Sequence, residues 1–437
     1  MRNLSFRSGA LASLVGLTFF ACSSASPPQA GDFADSGTTA APIVAPTASV
    51  TATASAQTDA SVAASDDVTR ANEFAVRAFS KSAATSPGNV FVSPPSVRLA
   101  LEVVYAGAAG QTKTELASAL GFDADTDAAL AAAKTELAAW NAPKKGTELT
   151  FATRLWVDRD GAIQTPFQDR VKAAFGSGLV PVDFRGQPEP SRVAINAWVK
   201  SETKDKIVDL LPKGSVTPLT RLVVTNAVYF LGTWQAPFDV KDTKSADFML
   251  ATSKKKSVPT MHKTASFPYF EDGDLRIGAL PYGEGALRMV IVLGPAGAST
   301  ETAEKSLTPT SLASFHDSLN RSSQRLDVAL PKFEVRWGGS FTKILQELGV
   351  TKAFTDAAEL EQIGKQLKVT DVFHKTYVKV DEKGTEAAAA TGVVIGTKSM
   401  PAEPKPFVVD HPFVFYIEDA NSGRVLFIGK VTDPSGG

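Results

Sequence analysis

Two spacings of apolar residues alternate along most of this chain, and they predict a mixed set of helices and strands. Val68, Ala71, Phe74, Ala75, Ala78 and Phe79 recur at helical spacing, with Asp66 or Asp67 placed to cap the helix. Leu99, Ala100, Val103 and Val104 give a second helix a broad apolar face, which Gly107 to Gly110 interrupts. Further helices are predicted over Thr114–Leu120, Asp127–Trp140, Phe167–Phe175 and from Ile195 to near Leu211. Leu149–Val157 alternates as a strand. The run Leu222–Trp234 is apolar enough for a strand covered on both faces. Leu275–Leu280, Leu287–Leu293 and Leu326–Leu330 are further strands between turn residues. His411–Ile417 and Val425–Val431 form a terminal hairpin around Asn421-Ser422-Gly423.

One stretch supports two readings. After Tyr377, Val378 and Val380 the chain passes through Asp381-Glu382-Lys383-Gly384 into a run of very small residues, Thr385 to Gly392. Ala and Glu are good helix formers, so propensity predicts a helix there. Taken every second residue, Thr385, Ala387, Ala389, Thr391, Val393 and Ile395 are small or apolar and uncharged, so they could line one face of an added strand. The stretch ends at Lys398-Ser399, a bond of the kind a trypsin-type protease cuts, with Pro401 beyond it.

Composition narrows the function classes. Lys and Arg total 45 against 46 Asp and Glu, for a formal charge of −1. Residues 1–65 hold only Arg2, Arg7, Asp32, Asp35 and Asp59, so the remainder is balanced as well. Nothing here makes an electrostatic case for nucleic acid or a membrane surface. Lys254-Lys255-Lys256 is the one conspicuous basic run, and it fits a solvated hairpin turn. There is no Gly-x-Ser-x-Gly elbow, no His-Glu-x-x-His and no phosphate-binding loop. His262, His316, His374 and His411 lack metal-ligand spacing, so no metal or other cofactor is expected. Cys22 is the only cysteine, which excludes disulfides within the chain.

The N-terminus predicts export. Arg2 and Arg7 precede a short apolar core, Leu11 to Phe20, too short for a comfortable membrane span. Phe19-Phe20-Ala21-Cys22 resembles a lipoprotein cleavage box, so residues 1–22 are read as a signal peptide ending at an anchor cysteine. An ordinary signal peptide cut nearby is the alternative. Residues 23–65 are Ala, Ser, Thr and Pro with few large apolar groups, the composition of a disordered tether. Residues 66–437 form the folded domain. The expected location is the cell envelope, at the outer membrane, or outside the cell if Cys22 is not lipidated.

Several segments, in order, carry a family resemblance. Glu382-Lys383-Gly384-Thr385-Glu386-Ala387-Ala388-Ala389-Ala390 resembles the hinge of the serpin reactive-centre loop. Asn89 to Ser96, Asn226 to Trp234, Val258 to Met261, Leu330 to Phe333 and the terminal hairpin also resemble that family. The resemblance implies an α+β fold with three β-sheets, a dominant central sheet, eight or nine helices and an exposed loop. It implies a monomeric inhibitor of serine proteases, itself no enzyme, that is cleaved at Lys398-Ser399 and inserts its loop as a strand; a shift of the cut to Met400 is the alternative register. The hinge is then Glu382, Gly384, Thr385, Glu386, Ala387, Ala388, Ala389 and Ala390. Trp234 and Lys332 fall at the top of the central sheet, with Lys332 beside Glu382. Ser93, Ser96, Asn226 and His374 fall near the point where that sheet opens. Asp127–Trp140 contains one cation, Lys134, and so lacks the basic helix with which some serpins bind heparin. A non-inhibitory serpin acting as a surface binding protein is the alternative function.

Overall fold

Proline and alanine decide how the first helices begin. In the computed structural model, which describes residues 51–436 apart from 123, 124, 143, 177, 251, 253, 298 and 386–402, with side chains from 66 onward, α1 runs over Thr51–Thr85. It therefore starts earlier than expected, inside the stretch read as a tether. Asp66 and Asp67 lie within the helix instead of capping it. The Ala-rich stretch before Asp66 has the propensity to extend the helix backwards. Strand β1 (Val90–Val92) leads into α2 (Pro94–Ala106), whose prolines occupy the first turn, where no amide hydrogen is needed. Every residue of α2 is buried, Arg98 and Glu102 included. The helices α3 (Gly110–Leu120) and α4 (Thr126–Asn141) follow, and the side chain of Asp125 caps α4.

The chain then lays down β2 (Thr147–Asp158), α5 (Thr165–Phe175), β3 (Val180–Val182), α6 (Pro188–Glu202) and β4 (Leu222–Thr233). Five strands follow: β5 (Lys244–Met249), β6 (Lys255–Phe267), β7 (Tyr269–Asp272), β8 (Leu275–Tyr282) and β9 (Leu287–Leu293). Next come α7 (Glu301–Ser306), α8 (Pro309–Arg321), β10 (Gln324–Pro331), β11 (Phe333–Ser340) and α9 (Thr342–Glu347). The chain closes with β12 (Val369–Asp381), β13 (Gly384–Thr385), β14 (Lys405–Val408), β15 (Phe413–Asp419) and β16 (Val425–Val431). Nine α-helices and three sheets thus make an α+β fold among the described residues. Lys255 and Lys256 open β6 and reach Asp247 and Asp433, so the basic run straddles a turn and a strand start.

Two six-stranded sheets enclose much of the core. The central one has the order β11-β12-β13-β4-β2-β3, the other β1-β16-β15-β9-β8-β7. A four-stranded sheet, β14-β10-β6-β5, completes the set. Phe230 of the central sheet packs on Phe427 of β16 at 5.7 Å, and Phe427 stacks on Phe91 of β1 at 5.1 Å. Each such phenyl ring contributes about 1.5–3 kcal/mol through removal from water.

The register of the central sheet sets the site. β12 and β4 pair in parallel from Val369 opposite Leu222 to Tyr377 opposite Tyr229. Above that point the two strands part. The two residues of β13 enter the gap, antiparallel to both neighbours: Thr385 lies opposite Val380 on one side and Gly232 on the other.

Candidate functional site

The wedge at the top of the sheet depends on one glycine. Gly384 adopts φ 146°, and a Cβ there would sit 1.9 Å from the Gly232 carbonyl oxygen. Only glycine tolerates both conditions. Thr385 beside it is fully buried, and its hydroxyl is 2.8 Å from the Tyr282 hydroxyl. Gly384 and Thr385, expected from sequence to open the hinge, are thus seated between β12 and β4.

Around the wedge the sheet top is tied together. The Trp234 indole N–H donates to the Asp381 carbonyl at 2.9 Å, and its backbone N–H donates to the Lys383 carbonyl at 2.8 Å. The Trp234 ring stacks on Tyr282, with centroids 4.5 Å apart and planes 12° apart. Lys332 Nζ lies 2.9 Å from Glu382 Oε2 and 3.1 Å from Oε1, and the Thr243 hydroxyl donates to Oε1 at 2.8 Å. Burial pushes the Glu382 carboxyl upward, but these hydrogen bonds outweigh it and hold the group below the usual carboxylate range. The Lys332 side chain is 36% exposed, so the pair itself stabilises by only about 0–1 kcal/mol.

A second polar node lies lower in the same sheet, where β12 and β4 still pair. The Ser93 backbone N–H donates to His374 Nε2 at 3.1 Å. That leaves Nδ1–H to donate to Asn226 Oδ1, 2.7 Å away. Asn226 also receives the Ser96 hydroxyl and donates to the Ser96 carbonyl and, at 3.2 Å, to Thr153 Oγ1. The Ser93 hydroxyl donates to the Leu426 carbonyl in β16 at 2.9 Å. Burial drives the imidazole pKa down to about 3, so His374 stays neutral. The node joins β4 and β12 to the start of α2.

The structure therefore brings Ser93, Ser96, Asn226 and His374 into one cluster. It brings Trp234, Lys332, Glu382, Gly384 and Thr385 into another. Glu386, Ala387, Ala388, Ala389, Ala390, Lys398, Ser399 and Cys22 lie outside the described residues. Tyr282, Thr243 and Thr153 were not singled out from sequence. Each sits on a strand or loop remote in the chain, and only the sheet register reveals what it touches. Among the described residues no group of His, Cys, Asp or Glu could hold a metal ion.

Two face-packed sheets, a two-residue strand wedged between β12 and β4 and a buried histidine node describe a recognisable architecture. A profile of the family described as Serpin (serine protease inhibitor) matches residues 69–434. Over 363 residues the chain is 36% identical to an uncharacterised serpin-like protein of Thermococcus kodakarensis, covering 82% of this chain and 83% of that one. It is 35% identical over 357 residues to the leukocyte elastase inhibitor of Bos taurus, covering 79% and 93%. Among solved structures, Serpin48 of the insect Tenebrio molitor, described as a highly specific serpin, superposes with a TM-score of 0.74 at 31% identity, over 84% of this chain and 98% of that one. This chain belongs to the serpin family.

Proposed function

We propose that the protein inhibits a serine protease of trypsin-like preference by cleavage of its loop, acyl-enzyme trapping and strand insertion. The observation that carries the proposal is the seating of Gly384 and Thr385 between β12 and β4. In sequence the chain beyond Thr385 is small and uncharged in alternate positions, as a strand filling the lane between β12 and β4 requires, and below the wedge those two strands close that lane by pairing directly. The protease serine would attack the Lys398 carbonyl and form an acyl-enzyme. Insertion would then carry the bound enzyme away and distort it before water completes turnover. The similarity to an elastase inhibitor supports protease inhibition, and the Lys398 side chain is the basis for the trypsin-like preference.

Incubation with trypsin tests this. The expected product is a covalent complex that survives detergent, together with a released peptide beginning at Ser399 by intact mass. Lys398→Ala should abolish the complex and leave the fold unchanged. Cleavage without any complex would instead favour a non-inhibitory binding role. A peptide beginning elsewhere would refute the register.

We further propose that residues 1–21 are removed and that Cys22 carries a lipid. Support for this comes from the sequence alone: a short apolar core and a small residue before the cysteine. Recovery of the mature chain with an unmodified Cys22 in a soluble fraction would oppose the anchor.

A further inference from the structure

A cavity of about 290 Å³ opens between α1, α2 and α4, away from the hinge and the histidine node. Its polar lining is more acidic than basic: Asp66, Asp67, Glu102 and Glu136 face it against Arg70 and Arg98. The rest of the wall is apolar and shallow, formed by Phe122 and the small side chains of Ala129, Ala132 and Ala133.

The two arginines are already engaged. Arg98 donates to the Leu120 and Gly121 carbonyls at 2.8 and 3.1 Å and lies 2.8 Å from Asp67. Arg70 donates to the Gly121 carbonyl at 3.2 Å and lies 3.8 Å from Asp67. Behind the cavity Arg424, just before β16, bridges Asp67 and Glu136 and lies over the Trp140 ring. Glu102 is different. Its residue is only 6% exposed, it lines the cavity, and among the described residues no hydrogen bond or close ion pair reaches its carboxyl. A carboxyl buried this way is costly unless something pairs with it.

We propose that this cavity is a binding site for a small organic cation, a primary ammonium on a short apolar body, with Glu102 as its anchor. The ammonium donates three hydrogen bonds, and the Glu102 and Glu136 carboxyls supply acceptors at the acidic end. The apolar body lies on Phe122 and the alanines of α4. An anion would meet arginines already spent on carbonyls and on Asp67, beside two carboxyls.

Titration of Glu102 makes the proposal measurable. Burial first, then the neighbouring Glu136 and Asp67, raise its pKa to about 8, while Arg98 and Arg424 oppose them. Glu102 is therefore protonated at neutral pH in the free protein. An ammonium ligand must displace that proton, so affinity should rise by up to about tenfold per pH unit below pH 8.

The test is calorimetric titration of the whole protein with n-butylamine, with n-butanol and butyrate as neutral and anionic counterparts. The expected result is binding of the amine alone, tighter at pH 8 than at pH 6, with proton release revealed by the dependence of the heat on the buffer. Glu102→Gln, which mimics the protonated carboxyl, should melt at or above the wild-type temperature at pH 7, since it loses nothing to ionisation in the unfolded chain, and weaken amine binding at least tenfold. Ala132→Leu, at an exposed rim position, should weaken it by obstruction with every charge intact. Equal binding of butanol, preference for butyrate, an unaffected Glu102→Gln variant, or no amine binding would each overturn the proposal.

Discussion

At the scale of single residues, the buried histidine and the hinge glycine make the sharpest demands. His374 donates to Asn226 and accepts from Ser93, and the accepted bond needs a neutral ring. Its pKa is depressed to about 3 in the folded chain, from a normal value near 6.5. Between those values the unfolded chain binds the extra proton. The group therefore costs stability as pH falls from 6.5 towards 3, by about 1.4 kcal/mol per unit. Glu102 titrates with the opposite sign: its pKa is raised to about 8, so its contribution is full below about 4.5 and is lost as pH rises towards 8. The His374 term is thus read as a difference. The destabilisation caused by His374→Gln should shrink as pH drops from 7 to 4 in paired denaturant melts, and a constant difference would contradict the neutral node. At the other cluster, Gly384→Ala places a methyl group against the Gly232 carbonyl oxygen in a disfavoured backbone region. The wedge should leave the sheet, and the Trp234 amide, which donates to Lys383, should exchange its hydrogen markedly faster.

At the scale of elements, the sheet is held in a partly opened arrangement. β12 and β4 pair over most of their length and part above Tyr377 and Tyr229. A longer inserted strand would replace that direct pairing with two ladders, each backbone hydrogen bond adding a net of about 1 kcal/mol. Loop-cleaved protein should therefore melt well above the intact form by calorimetry; equal melting would count against insertion. Thr385→Arg bears on the same lane. Sequence reasoning placed Thr385 in the sheet only after cleavage, whereas the structure seats it there already, fully buried against Tyr282. An arginine would bury a charge without a partner, at several kcal/mol, or else expel the wedge. Expulsion is the cheaper course, so the variant should fold, be cut at Lys398, and release active trypsin in place of a stable complex. Gels showing the covalent complex at the wild-type ratio would rule this out.

At the scale of the whole molecule, each part of the chain became known by a different route. Most helix and strand positions were legible because burial imposes its period on the sequence, although the helix expected to run to near Leu211 ends at Glu202: β4 is largely apolar because both its faces are covered, and the final hairpin announced itself through Asn421-Ser422-Gly423. The start of α1 was not legible. An Ala-rich stretch satisfies both a tether and a helix, and composition does not choose between them. The nearness of Lys332 to Glu382, and the gathering of Ser93, Ser96, Asn226 and His374, followed from family resemblance and not from spacing. By itself the sequence determined which residues must be buried, the small or apolar, uncharged character of alternate positions from Thr385 to Ile395 and the lysine offered before Ser399, because these are properties of side chains and their local order. Only the tertiary structure decided that Thr385 is already seated under Tyr282, that Thr243 shares Glu382 with Lys332, and that Glu102 faces a cavity unpaired. Those contacts join segments from 50 to 139 residues apart or depend on the space left between three helices, and no local pattern encodes a distance across the fold.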